Sequence, residues 1–167
     1  MATQSTQKLC IEAIYDDLLT LIPGTISGTF DGVALTDADV YKLRLVTSRI
    51  PPLTRYPAIV VGAPLDEGET MEGGTNASEY VGYPVFVGIF APGNDLLTLN
   101  DDFDLIMHWR AQIRRRYHNR VPIQAAVSTL RICRVEPRQI VDSQEWDANR
   151  LSTALLIRCE CEDLPVT

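Results

Sequence analysis

Ile11, Ile14, Leu18 and Leu21 or Ile22 recur at the spacing of one helix face, with Glu12, Asp16 and Asp17 elsewhere on the wheel. This period predicts a first helix over residues 9–22, stopped by Pro23-Gly24. Asp31-Gly32 is a pair suited to positive φ and predicts a short hairpin within residues 25–36. In residues 41–46, Lys42 and Arg44 alternate with Leu43 and Leu45, the pattern of a half-exposed strand. Thr36-Asp37-Ala38-Asp39 just before it can equally cap a short helix, and Pro51-Pro52 afterwards enforces an extended connection.

Two clear strands follow, at 58–62 and 83–91. In the second, Val85, Val87 and Ile89 face one way and Phe86 and Phe90 the other, so both of its faces are expected to be covered. Between the strands, residues 63–79 are rich in glycine and acid and carry Asp66, Glu67, Glu69 and Glu72. So long a connection predicts a loop that either meets a partner or stands in solvent. A second helix is expected over 101–118, with Phe103, Ile106, Trp109 or Arg110, Ile113 and Tyr117 on its apolar stripe.

Strands at 130–135 and 151–162 close the chain around a polar loop at 142–149. In the last strand Leu155, Ile157, Cys159 and Cys161 alternate with Leu156, Arg158, Glu160 and Glu162, which puts both thiols on one face. By this register Ile157, like Phe86 in its own strand, points inward, and Glu160 points to solvent, where a lysine would be tolerated. The element order predicts a single α+β domain over residues 1–167. Its antiparallel or mixed sheet, of about four to six strands, is packed by an N-terminal and a central helix and carries a long hairpin loop.

Composition fits that picture: 167 residues with 46% hydrophobic content suffice for one core without disulfides or metal. The 22 Asp and Glu against 15 Lys and Arg leave a formal charge of -7, which opposes non-specific attraction to phosphate. No apolar run is long enough to span a membrane, and the polar stretch 1–8 does not resemble a secretory signal. The chain is therefore expected in a reducing compartment, with Cys10, Cys133, Cys159 and Cys161 as free thiols. Their spacing contains no C-x-x-C pair.

Candidate chemistry is sparse. Asp101, Asp102 and Asp104 at the start of the second helix, and Arg110, Arg114, Arg115, Arg116, His118 and Arg120 at its end, complement the helix dipole without any ligand. Within that set Arg114, Arg115 and Arg116 form the one basic cluster able to receive an acidic partner, and the acids of 66–72 on a neighbouring copy would supply it. Asp104 and His108 share a helix face, but two histidines in the whole chain do not make a metal set. Gly24 to Gly28 reads Gly-Thr-Ile-Ser-Gly, not a nucleophile elbow, and no phosphate-binding glycine loop is present. No catalytic residue, metal or cofactor is therefore expected.

Taken in order, the helix at 9–22, the strand pair Tyr56-Pro57-Ala58-Ile59-Val60-Val61 and Tyr83-Pro84-Val85-Phe86-Val87-Gly88-Ile89-Phe90, the helix at 101–118 and the closing strand at 151–161 resemble phage tail terminator, or tail completion, proteins of the head–tail joining type. The resemblance implies a structural virion protein, assembled in the host cytoplasm, that caps the tail tube as a ring, usually a hexamer. Its implied partners are other copies of the chain, the tube protein and the neck or connector proteins. DNA would pass through an acidic channel without specific binding, and no membrane would be involved. The extra residues at 25–52 and 63–79 depart from smaller members. A neck or head-completion adaptor is the nearest alternative, and a small enzyme or ligand-binding module a more distant one.

Overall fold

The computed structural model describes residues 5–30, 32–46, 53, 55–64, 70–75, 78–92, 99–138 and 150–163. Helix α1 runs Thr6–Leu21 and starts earlier than its apolar period, because the Ser5 hydroxyl accepts from the Lys8 amide at 3.3 Å and caps a polar first turn. It buries Cys10, Ile11, Ala13, Ile14 and Leu18. The expected hairpin forms as β1 (Thr29–Phe30) and β2 (Val33–Ala34) in antiparallel register. It docks on the second helix, α2 (Leu99–Tyr117), where the Phe30 and Trp109 rings meet edge to face at 5.2 Å. The Trp109 indole N–H donates to the Ser27 carbonyl at 2.8 Å.

Both readings of residues 36–46 hold in succession. A 3-10 turn at Asp37–Asp39 precedes strand β3 (Val40–Val46). The buried Asp39 carboxylate fixes this corner by accepting from the Thr36 amide and hydroxyl at 2.8 and 2.7 Å and pairing with Arg55 at 3.3 Å.

The remaining strands are β4 (Ala58–Pro64), β5 (Thr70–Thr75), β6 (Ser78–Pro92), β7 (Leu130–Pro137) and β8 (Arg150–Asp163). They join β3 in a six-stranded sheet of order β3-β4-β6-β8-β7, with β5 also on β6. The β3–β4 pair is parallel and the others antiparallel, so the sheet is mixed and the fold α+β. Helix α1 packs on β3, β4 and β6, and α2 on β6, β7 and β8. Their shared core brings Ile14, Leu18, Ile106, Trp109, Ile113 and Tyr117 against Val85, Val87, Ile89, Leu155, Ile157 and Cys159. Each large apolar side chain fully withdrawn from water there contributes about 1.5–3 kcal/mol.

The expected long loop is in large part a strand. Residues 70–75 pair with β6 from Thr70↔Gly82 to Thr75↔Ser78, and β6 itself starts at Ser78 and not near 83. On the same side of β6, Gly62 stands opposite Phe86. From there to Thr70↔Gly82 the β4–β5 side advances eight residues (70 − 62) while β6 advances four (86 − 82). So β4 and β5 follow one edge of β6, interrupted by a four-residue excess. The Gly73-Gly74 pair and the acids show no apolar alternation. The hydrogen-bonding edge of β6 makes this segment a strand. Asp66, Glu67, Glu69 and the polar stretch 142–149 lie outside the described residues, and Glu72 sits within β5.

Only one face of the sheet is covered as fully as expected. On the other, Val60 and Phe90 are buried, but Phe86 is half-buried among Tyr41, Leu43, Leu53 and Tyr56. Gly88 floors this patch, since a Cβ there would lie 2.7 Å from Phe86 Cε1 and 2.8 Å from Phe90 Cε2. Towards β7 the same face turns ionic. Arg134 stands directly opposite Arg158, and the repulsion is relieved diagonally by Arg134–Glu160 and by Arg158–Glu136 at 3.1 Å. Glu160 is therefore not the tolerant surface position its alternation suggests: it is 9% exposed and held by Arg134.

Three substitutions probe these faces by urea denaturation. Ile157→Asp places an unpaired charge in the helix-covered core and is expected to abolish cooperative unfolding, with Phe86→Asp less damaging because its ring is only half-buried. Gly88→Ala is expected to lose about 1–3 kcal/mol by forcing the two phenylalanine rings apart. Glu160→Lys is expected to destabilise, because it sets a third cation beside Arg134 and Arg158; a midpoint equal to that of wild type contradicts the ion-pair account.

Candidate functional site

Structure divides the arginine cluster. Arg116 forks onto the Asp17 carboxylate of α1, with Nε at 3.0 Å and Nη2 at 2.5 Å. The hydroxyl of the buried Tyr117 donates to the same carboxylate at 2.8 Å. The hydrogen bond to Asp17 raises the Arg116 pKa. Burial, then the neighbouring Asp17 charge, pushes the Tyr117 hydroxyl far above its usual 10. Arg116 is thus a fastener between the two helices, whereas Arg114 and Arg115 are exposed.

Beyond Tyr117 the chain turns at Asn119, whose φ of 56° is the left-handed conformation that ends helices. The Asn119 amide then donates to the Cys133 carbonyl, and the Cys133 amide to the Arg120 carbonyl, both at 2.8 Å. This bridge closes the outer edge of β7 and sets Arg120 there, exposed. The exposed basic group is therefore Arg114, Arg115 and Arg120. Helix periodicity could not show that Arg116 leaves it, because its acid partner is 99 positions away in the chain. Trp109 and Arg110, alternatives on the predicted stripe, are both buried. Arg110 donates to Thr153 Oγ1 and to the Arg138 carbonyl, and burial followed by the nearby Arg114 charge lowers its pKa. His118 uses Nδ1 to accept from the Val135 amide at 3.2 Å, which leaves its ring proton on Nε2.

Acidic positions lie across the sheet from this edge. Glu79 is exposed on β6 and stands in register between Gly74 of β5 and Asp163 of β8. With the strands in the order β5, β6, β8, β7, β5 and the arginine-lined edge of β7 occupy opposite sides of this part of the sheet.

The four thiols converge in the core. Cys10 of α1 lies 4.0 Å, sulfur to sulfur, from Cys161, and Cys133 stands opposite Cys159. The Cys133 amide and carbonyl are engaged by residues 119 and 120, so Cys133 and Cys159 form a non-hydrogen-bonded pair with closely spaced side chains. Hydrogen bonds to Cys10 and Cys133, then burial, raise the Cys159 pKa. The strand pattern placed Cys159 and Cys161 on one face correctly, but nothing local revealed that Cys10 and Cys133 join them. Among the described residues no group of three or more His, Cys, Asp or Glu is arranged to hold a metal. Asp104 and His108 are both exposed, and His108 Nε2 faces the Gln112 amide nitrogen at 3.5 Å.

Among the described residues no helix is long and apolar enough to cross a membrane. No protein-family model matches the chain, and no curated protein matches it.

Two measurements test this packing. Native Tyr117 holds its proton more tightly than the unfolded chain does, so its contribution is complete below a pH of about 10 and is lost as pH rises beyond it. Tyr117→Phe is expected to flatten the alkaline fall in stability while costing about 1.5–3 kcal/mol at neutral pH through the lost bond to Asp17; an unchanged alkaline slope refutes the assignment. A thiol-specific reagent is expected to label none of the four cysteines rapidly in the native protein and all of them in denaturant. Rapid native labelling would show that the cluster opens to solvent.

Proposed function

We propose that this chain is a structural virion protein of a phage tail, a terminator that caps the tube as a hexameric ring and joins it to the neck, and not an enzyme. The observation that carries this proposal is the two-sidedness of the sheet. Both helices occupy one face, while among the described residues no helix side chain packs on the cluster of Tyr41, Leu43, Leu53, Tyr56, Phe86 and Phe90 on the other. A face of partly buried aromatic side chains with no helix over it, beside an ionic ladder, suits a protein that meets neighbours there. The element order, with a helix before the long strand pair and a second helix before the closing strand, is the order on which the resemblance to tail terminators rests. A formal charge of -7 suits a channel wall that DNA passes without sticking.

Mass measurement in solution with negative-stain electron microscopy tests the proposal. The expected result is a closed ring several times the 18.6 kDa chain mass that halts growth of the cognate tail tube when added to it. A concentration-independent monomer, or a ring with no effect on tube length, overturns it.

A further inference from the structure

The buried thiols meet in one place although three elements supply them: Cys10 from α1, Cys133 from β7, and Cys159 and Cys161 from β8. Cys10 and Cys161 are in sulfur contact at 4.0 Å, and Cys159 hydrogen-bonds to both Cys10 and Cys133. The sulfurs therefore form one continuous row in the order Cys161, Cys10, Cys159, Cys133. The chain has four cysteines in all, and every one joins this row. A core cysteine packs as a small hydrophobe, but packing alone does not require each to touch another thiol.

At Cys133 and Cys159 the geometry of a bridge is already set. Opposed residues of a non-hydrogen-bonded antiparallel pair have Cα atoms about 4.5 Å apart. That lies within the range of roughly 4.4–6.8 Å that a disulfide spans without backbone movement. Both side chains belong to the helix-covered core, and the Cys133 backbone is held from outside by residues 119 and 120. Cys10 and Cys161 have only to close from contact to a bond. Pairing Cys10 with Cys159 instead would strand Cys161 and Cys133 at the two ends of the row. Only Cys10 with Cys161 and Cys133 with Cys159 uses every thiol.

We propose that this row is an oxidation site at which a hydroperoxide converts the thiols into two disulfides, Cys10–Cys161 and Cys133–Cys159. In each pair one thiolate attacks the peroxide O–O bond and takes an oxygen as sulfenic acid, and the displaced hydroxide leaves as water with that thiol's proton. The second sulfur then displaces hydroxide from the sulfenic sulfur, and its own proton leaves with that hydroxide as water. Each bridge gives up two electrons, which the peroxide accepts. Cys133 is the attacking member of its pair, because hydrogen bonds to Cys10 and Cys133, then burial, hold the proton on Cys159. One bridge joins residues 151 positions apart and fastens α1 to β8. The other fastens the edge strand β7 to β8. Both links constrain the unfolded chain and so stabilise the fold.

Treating the reduced native protein with hydrogen peroxide tests the site. Alkylation in denaturant is then expected to find none of the four thiols, with the chain lighter by one hydrogen for each. Peptide mapping is expected to return the two named links, the thermal midpoint to rise by roughly 5–15 °C, and dithiothreitol to reverse both changes. The same oxidation in urea is expected to give mixed links, since the row exists only in the fold. Cys133→Ala is expected to link Cys10 to Cys161 alone and to leave Cys159 open to alkylation. Thiols that persist while methionine takes up oxygen overturn the proposal. Sulfinic or sulfonic acids in place of links, links between chains, or a native link from Cys10 to Cys159 overturn it equally.

Discussion

The antiparallel ladder between β6 and β8 is the constraint on which the rest of the molecule depends. It runs unbroken from Glu79↔Asp163 to Pro92↔Arg150. Because side chains alternate along both strands, one register decides at a stroke which residues meet the helices and which form the outer face. Val85, Val87 and Ile89 stand beside Ile157, Leu155 and Thr153 on the helix side. The large sheet is arranged around this pair: β4 and β5 share one edge of β6, β3 follows on β4, and β7 takes the free edge of β8.

The ladder runs from a core into a charged end. Where α1 and α2 lie across it, burial is nearly complete and the four thiols meet. Just beyond Cys161 its last pair sets Glu79 of β6 opposite Asp163 of β8. Paired backbone hydrogen bonds hold these strands in place, so they can display charge without an apolar core of their own. The outer face divides in the same way, into aromatic packing over Gly88 and diagonal ion pairs beside β7.

Helix attachment follows from the same economy of polar groups. Asp17 gathers Arg116 and Tyr117, so one carboxylate ties α1 to α2 and pairs one arginine of the cluster. A carboxylate with a guanidinium fork and a phenol on it is well satisfied, which lets it sit partly out of water. The arginines left outside gain their meaning from what Asp17 takes away.

The apolar periods by themselves determined both helices, the strands at 58–62, 83–91, 130–135 and 151–162, and the thiol face of the last strand, because each is a local repeat set by helix or strand geometry. Their bounds shifted where polar residues did the capping, as at Ser5. Tertiary structure decided other features. Residues 70–75 become a strand because β6 offers an edge, Glu160 is enclosed because Arg134 reaches it across strands, and Arg116 is spent because Asp17 lies on another helix. Cys10 and Cys133 join Cys159 and Cys161 for the same reason. Each of these depends on partners far apart in the chain, and a charge or thiol carries no local mark of the partner that folding will bring to it.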